Sequence, residues 1–452
     1  MTLIKSISGI RGIINTSLDF NLIAKYISAF SNISPTGKLL LARDTRNSGA
    51  EYINSTKALL KYLDRESINC DIIPTPTAQF LVIKNNCAGG IVFTASHNPS
   101  NWNGMKFIDQ NGIFIDQEKF NQLEDEFKKI TLSADIKLNL ANNEQDNKAE
   151  ESINLHLKNI LNLSIINKEL IKQKNYKVVI DCANGATSIA LPKLLKKLGC
   201  EVIKINSDYS EDFGRLPEPI PSNIKDLALS VTRNNADIGF ATDPDGDRLS
   251  IVDNSGNPLG EELTLALCVY YFLKFFENNR KYPITTNLST SMISEKISES
   301  FDTPFIRSAV GEINVVKKMQ HENSLIGGEG NGGIILRESH LGRDSLVGTA
   351  IVLNLLAKES LTINEIFNSL PKFYIQKSSI ELKGDSNATI NKLRRYFINE
   401  DVIETDGLKI VRKNEWIHIR KSNTEPILRI ISESKSKSRS IELINIIKNE
   451  IK

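Results

Sequence analysis

Three observations predict an α/β protein made of three similar units and a smaller α+β unit. At 452 residues the chain is too long for one ordinary core, and about 150 residues per domain gives roughly three. A β-rich run, a polar loop and a helical pattern recur along it, the order expected of α/β domains with parallel or mixed sheets. From about residue 372 the rhythm changes, with two helical stretches flanking an alternating run at Glu415 to Arg420.

The elements follow in order. Lys38 to Ala42 (KLLLA) reads as a strand before a basic loop carrying Arg43 and Arg46, and Gly90 to Phe93 as another before Thr94 to Pro99. The polar, Asn/Glu-rich stretch from about Leu132 to Glu151 reads as a linker. Lys177 to Ile180 (KVVI) leads through Asp181 to Gly185 into helical spacing over Ser188 to Leu198, and Ala236 to Ala241 is a further strand. The turn cluster Asp253 to Pro258 closes the second unit, Tyr282 to Thr286 opens a strand of the third, and Ser369 to Pro371 closes it. The final helix, from about Ser438, places Leu443, Ile444, Ile446 and Ile447 on one apolar stripe. Domains are therefore expected at 1–135, 150–255, 256–370 and 371–452.

Composition excludes several function classes. With 40% hydrophobic and 24% charged residues the chain is not a disordered one. Lys+Arg 56 against Asp+Glu 54 leaves a net charge of +2, with no bulk commitment to nucleic acid or an anionic membrane. Cys70, Cys87, Cys182, Cys200 and Cys268 are scattered, odd in number and without CxxC spacing, which argues for buried thiols in a reducing cytosol rather than disulfides or structural zinc. Met1 to Ile14 lacks a continuous signal-peptide core, and the apolar run Leu263 to Phe276, broken by Thr264 and Lys274, is too short to span about 30 Å of hydrocarbon. A cytoplasmic protein is expected.

Four loops carry chemistry. In Asp243-Pro244-Asp245-Gly246-Asp247-Arg248, three carboxylates alternate in a constrained turn and repel unless a cation joins them; oxygen ligands suit Mg²⁺ before Ca²⁺. An EF-hand is excluded, because Arg248 stands where its Gly belongs and Asn254 where its Glu belongs. Thr94-Ala95-Ser96-His97-Asn98-Pro99 ends a strand in small polar residues that present the Ser96 hydroxyl to a cleft. Lys106 beyond it is a cation or proton shuttle; no G-x-S-x-G accompanies the serine. Arg420 to Arg429 (RKSNTEPILR) puts two guanidinium forks around a Ser-Asn-Thr turn, an anion trap suited to a phosphate monoester. Gly327 to Gly333 (GGEGNGG) admits close backbone approach, with Glu329 and Asn331 to bond sugar hydroxyls; P-loop and GxGxxG spacings are absent.

In this order the four loops resemble the α-D-phosphohexomutase superfamily over nearly the whole chain. The resemblance implies three α/β domains of shared topology with mixed sheets plus the C-terminal α+β domain, around one central cleft. It implies phosphoserine at Ser96; one Mg²⁺ per chain held by Ser96, Asp243, Asp245 and Asp247; and substrate binding by Arg248, Glu329, Asn331, Arg420, Ser422, Asn423, Thr424 and Arg429. Arg11, in Ser8-Gly9-Ile10-Arg11-Gly12, matches a loop at the catalytic centre, and His97 and Lys106 are candidates for proton handling. A hexose bisphosphate is the implied intermediate and activator. Two departures stand out: the more usual sugar loop is closer to GE-x-S-G-H, where Asn331 and Gly333 replace Ser and His, and the amino-terminal loop lacks a Phe-Gly-Thr lead-in. His340 is a candidate replacement for the lost His, with a hydrogen-bonded structural role as the alternative. These variants, with Val310 to Val315, resemble a bacterial branch assigned to phosphoglucosamine mutases. The expected activity is glucosamine 6-phosphate to glucosamine 1-phosphate. Phosphomannomutase or phosphoglucomutase is the alternative, and a non-catalytic phosphosugar-binding protein a third reading. The partner is a small phosphosugar, without nucleic acid or membrane, and the chain a monomer or homodimer.

Overall fold

The computed structural model describes residues 3–131, 147–381, 386–421 and 427–451. Its second sheet runs in the order Leu249–Val252, Ile238–Thr242, Lys177–Asp181, Glu201–Ile205. Lys177–Asp181 pairs in parallel with both neighbours, and Leu249–Val252 returns antiparallel on Ile238–Thr242. The third sheet repeats the plan with Gly333–Leu336, Ile326–Glu329, Ile284–Asn287 and Phe305–Ser308. So does the first, with Trp102–Asp109, Gly89–Phe93, Leu39–Arg43 and Ser67–Ile72, extended by the antiparallel strands Gly9–Ile13 and Ile4–Ser6. An antiparallel return needs only a short hairpin connection, whereas the parallel pairs need crossovers. The three hairpin loops so created are residues 94–101, 243–248 and 330–332, and each carries one of the chemical signals.

The parallel strands are short continuous apolar runs because helices cover both faces; Leu39, Leu40, Leu41 and Ala42 are all fully buried. The apolar run that begins at Leu263 lies on the helix Glu261–Phe275, buried on nearly every side. One apolar cluster runs through all three units, from Leu40 and Val92 through Ile180 and Phe240 to Leu267, Ile351 and Leu370. The fourth unit has its own core of Leu393, Leu408, Ile419, Leu428 and Leu443. It is a five-stranded antiparallel sheet, Tyr374–Glu381, Ile427–Ser434, Glu415–Lys421, Leu408–Arg412, Asp401–Ile403, with helices Ser386–Tyr396 and Lys437–Ile451. On the last helix Leu443, Ile444 and Ile447 are buried, while Ile446 is half-buried at the edge of that core.

The helix Ala149–Leu161 begins inside the stretch read as a linker, because Ile153, Leu157 and Ile160 recur at helical spacing and bury against the shared core; residues 132–146 of that stretch lie outside the described residues. Ser422, Asn423 and Thr424 also lie outside them. The five cysteines are buried and free. Among the described residues no single helix is long and apolar enough to cross a membrane.

Candidate active site

Ser96 follows the strand Gly89–Phe93 with φ at +51°, a left-handed conformation a serine adopts only when its surroundings impose it. Its N–H donates to Thr94 Oγ1 at 2.9 Å, and that hydroxyl donates to Asp44 Oδ2 at 2.6 Å. The fully buried Arg46 donates through Nη2 to the carbonyls of Ser96 at 3.0 Å and Asn98 at 2.5 Å, its guanidinium lying over the Phe213 ring. The basic loop seen in the sequence is thus a brace for the serine. So held, Ser96 Oγ donates to Asp243 Oδ2 at 3.1 Å and lies 3.3 Å from His97 Nδ1.

Every aspartate of the second loop has one oxygen pinned by the protein. Asp243 Oδ1 accepts the Arg248 N–H at 3.1 Å. Asp245 Oδ2 accepts Thr75 Oγ1 at 2.7 Å and Lys106 Nζ at 2.6 Å. Asp247 Oδ2 accepts Lys106 Nζ at 3.0 Å and Arg343 Nη2 at 2.7 Å. The other oxygens of Asp245 and Asp247 are buried without a hydrogen-bond partner, and the three carboxylates offer ligand atoms within 4.8 Å of one another. Buried acceptors left open in this way fit a hard divalent cation. The electrostatics agree. Burial, with the charges of Asp247 and Asp245, drives the Asp243 carboxyl well above the usual range. Burial acts the same way on Asp247, but Arg343, Lys106 and Arg248 outweigh it and hold that carboxyl well below. For Lys106 burial opposes the charge, Asp245 and Asp247 outweigh it, and the ammonium is retained above its ordinary value. At His97 the charge of Arg248, then burial, then Arg11 push the ring well below its ordinary value, so it stays neutral.

Ser96, His97, Lys106 and Arg248 open on one cleft of about 470 Å³ whose lining also includes Arg11, Glu329, Asn331, Arg420 and Arg429, with the three aspartates behind them. Arg11 Nη1 donates to Asn98 Oδ1 at 3.2 Å, and Arg248 pairs with Glu218 at 2.9 Å. Arg420 and Arg429 stand directly opposite each other in the antiparallel pair, and the buried Arg420 Nε has no hydrogen-bond partner. Like-charged forks side by side repel unless an anion lies between them. In the glycine-rich loop Glu329 is already committed: Oε1 accepts from Asn287 at 2.8 Å and from the Gly311 N–H at 3.0 Å, and Oε2 from Asn331 at 3.4 Å, with Arg343 at 3.0 Å. Asn331 Oδ1 is buried and unpartnered.

His340 is not in the cleft. It is buried with His156 around Asp344, its Nε2 3.2 Å from Asp344 Oδ2, and the structural alternative accounts for it. Sequence reasoning missed Arg343 and Glu312, both buried and both lining the cleft, with Arg343 Nε donating to Glu312 Oε2 at 2.8 Å. Glu312 lies in the Val310 to Val315 run but nothing local marks either residue as part of the cleft, since their partners lie far away in sequence.

A braced serine, an acidic cation loop and paired arginines around one cleft define a phosphoryl-transfer enzyme acting on a phosphorylated ligand. The family models for phosphoglucomutase/phosphomannomutase α/β/α domains I, II and III match residues 3–134, 154–256 and 260–374, and the model for the C-terminal domain matches 381–447. The chain belongs to the phosphoglucomutase/phosphomannomutase family, and it is a phosphohexomutase. It is 32% identical to a phosphoglucosamine/phosphogalactosamine mutase of Sulfurisphaera tokodaii, over 97% of each chain. It is also 32% identical to a phosphoglucomutase/phosphomannomutase of Thermococcus kodakarensis, over 97% of this chain and 96% of that one. Its fold is shared by a phosphoglucomutase/phosphomannomutase family protein of Burkholderia thailandensis, with a TM-score of 0.82 at 21% identity, over 99% of this chain and 97% of that one.

Proposed function

We propose that this phosphohexomutase converts glucosamine 6-phosphate to glucosamine 1-phosphate by way of phospho-Ser96 and a hexose bisphosphate. The observation that carries the route is Ser96 Oγ at 3.1 Å from Asp243, in the cleft that Arg420 and Arg429 also line. In this reading Arg420, Ser422, Asn423, Thr424 and Arg429 grip the phosphate that is not being transferred, Arg248 and Asn331 orient the sugar, and Glu329 keeps the loop in shape. His97, neutral beside Ser96, takes or returns the hydroxyl proton. Arg11 steadies the transferring phosphoryl, and Lys106 holds Asp245 and Asp247 in place. Ser96, Asp243, Asp245 and Asp247 would hold one Mg²⁺, which when bound neutralises charge on phosphoryl oxygens. The bisphosphate turns over in the cleft and returns its other phosphoryl to Ser96. We take the domains as 1–135, 150–255, 256–370 and 371–452.

The first of the two relatives supports the amino sugar; the second, named for glucose and mannose phosphates, keeps phosphoglucomutase/phosphomannomutase as the second reading. Comparative kinetics on the 6-phosphates of glucosamine, glucose and mannose decide between them. The amino sugar should show the largest kcat/KM, and a preference for glucose or mannose would replace this assignment. Label from a bisphosphate should appear on Ser96 and be absent from Ser96→Ala.

A further inference from the structure

Arg343 joins three segments that the four chemical loops leave unconnected. Its Nη2 donates to Asp247 Oδ2 at 2.7 Å, its Nε to Glu312 Oε2 at 2.8 Å, and its Nη1 lies 3.0 Å from Glu329 Oε2. Three separate nitrogens of one planar fork are used, which a lysine's single ammonium cannot reproduce. Each of the three carboxylates is held from a second side: Asp247 by Lys106, Glu312 by Gln79 at 3.1 Å, and Glu329 by Asn287 and the Gly311 N–H.

Its seat is equally fixed. The next residue, Asp344, donates its N–H to the Ile334 carbonyl at 2.8 Å. Asp344 Oδ1 caps the helix Ser345–Glu359 by accepting from the N–H groups of Leu346 and Val347, and Oδ2 sits between His156 and His340. The space for the guanidinium stem comes from Gly333: a Cβ there would run into Arg343 Cδ and stand 2.8 Å from Cγ.

We propose that Arg343 is a positioning residue that couples the cation loop to the sugar loop, so that a divalent cation and a phosphosugar bind cooperatively through it. This rests on the phosphohexomutase reading of the cleft. By occupying Asp247 Oδ2, Arg343 leaves Oδ1 to the cation; by occupying Glu329 Oε2, it ties the loop beside the sugar to the same fork. A shift of Asp247 toward a cation is therefore felt at Glu329, about 80 residues away in sequence, through one rigid group.

The test is binding of glucosamine 6-phosphate to the full chain by calorimetry, with and without Mg²⁺, for wild type, Arg343→Ala, Arg343→Lys and Gly333→Ala, with melting temperature measured alongside. In wild type, Mg²⁺ should tighten phosphosugar binding by about 10-fold, within the usual range of coupling between sites. The factor should fall below about 2-fold in Arg343→Ala and be restored only partly by Arg343→Lys. Gly333→Ala, which keeps the charge but pushes the stem aside, should lose it too, and its retained charge keeps the test decisive where Arg343→Ala is unfolded. Unchanged coupling in a folded Arg343→Ala or Gly333→Ala protein overturns the inference, as does absence of coupling in wild type. If wild type binds and interconverts phosphosugars while the variants keep full coupling, this inference alone fails. If wild type does not bind glucosamine 6-phosphate, the amino-sugar assignment fails, and the same coupling is then read with glucose 6-phosphate and mannose 6-phosphate.

Discussion

The loops 243–248 and 330–332 occupy the same place in two sheets of the same strand order, each joining a parallel strand to its antiparallel return. The first is crowded with charge: three buried aspartates whose mutual repulsion is offset by Lys106 and Arg343, with Oδ1 of Asp245 and of Asp247 left unpartnered. The second is nearly emptied of side chains, with Asn331 alone standing between glycines. A Cβ on Gly330 would meet the Glu262 carboxylate, one on Gly332 the Leu249 carbonyl, and one on Gly333 the Arg343 stem. A hairpin position therefore supplies a place at the cleft but not a chemistry. One loop delivers charge; the other delivers room for neighbours that bring their own. The equivalent loop of the first sheet, 94–101, holds Ser96 in a left-handed conformation that Arg46 and Thr94 impose.

The comparison can be broken most severely at the serine. Ser96→Ala should abolish turnover while leaving the melting temperature near that of wild type, since it removes the phosphoryl acceptor but little buried volume; full activity would remove the serine from the route. In the charged loop, Asp245→Asn should cost at least about 10²-fold in kcat, because a ligand charge is lost where electrostatics carry the chemistry. EDTA should inactivate the enzyme, and full activity after exhaustive chelation would defeat the cation assignment. At the fourth loop, Arg420→Ala or Arg429→Ala should weaken phosphosugar binding by about 1.5–3 kcal/mol in both reaction directions, with Arg429→Lys recovering part of it. Lost melting temperature with unchanged affinity would make these arginines structural. In the emptied loop, Gly330→Ala should lower stability by about 1–3 kcal/mol through overpacking against Glu262, with activity falling less.

A pH dependence sharpens the same contrast. Glu262, beneath Gly330, is pushed up to about 8 by burial, which outweighs the pull of Lys377 and of the Ser291 N–H. Between its ordinary value near 4.5 and about 8, the folded protein keeps a proton that the unfolded chain has released. Stability from this group is therefore full below that window and falls as pH rises through it. Melting temperatures at pH 5 and pH 8 should differ less in Glu262→Gln than in wild type; an identical difference would mean that Glu262 is ionised in the fold.

By itself the sequence determined the α/β class, the three-fold recurrence of strand, loop and helix, and the identity of the four chemical loops. These are local properties: apolar runs specify buried strands, and a cation loop or arginine pair keeps its donors within a few consecutive residues. The first turn of Ala149–Leu161 falls in the polar stretch read as a linker, although Ile153, Leu157 and Ile160 already carry the helical spacing. The tertiary structure alone decided what each loop leans on. Thr75, Lys106 and Arg343 reach Asp245 and Asp247 from other units, Arg46 reaches Ser96 from 50 residues away, and His340 turns from the cleft to Asp344 and His156. Such pairings depend on how three sheets share one core. A buried charge is stabilised by whichever partner packing brings within hydrogen-bond distance, and sequence spacing carries no record of that.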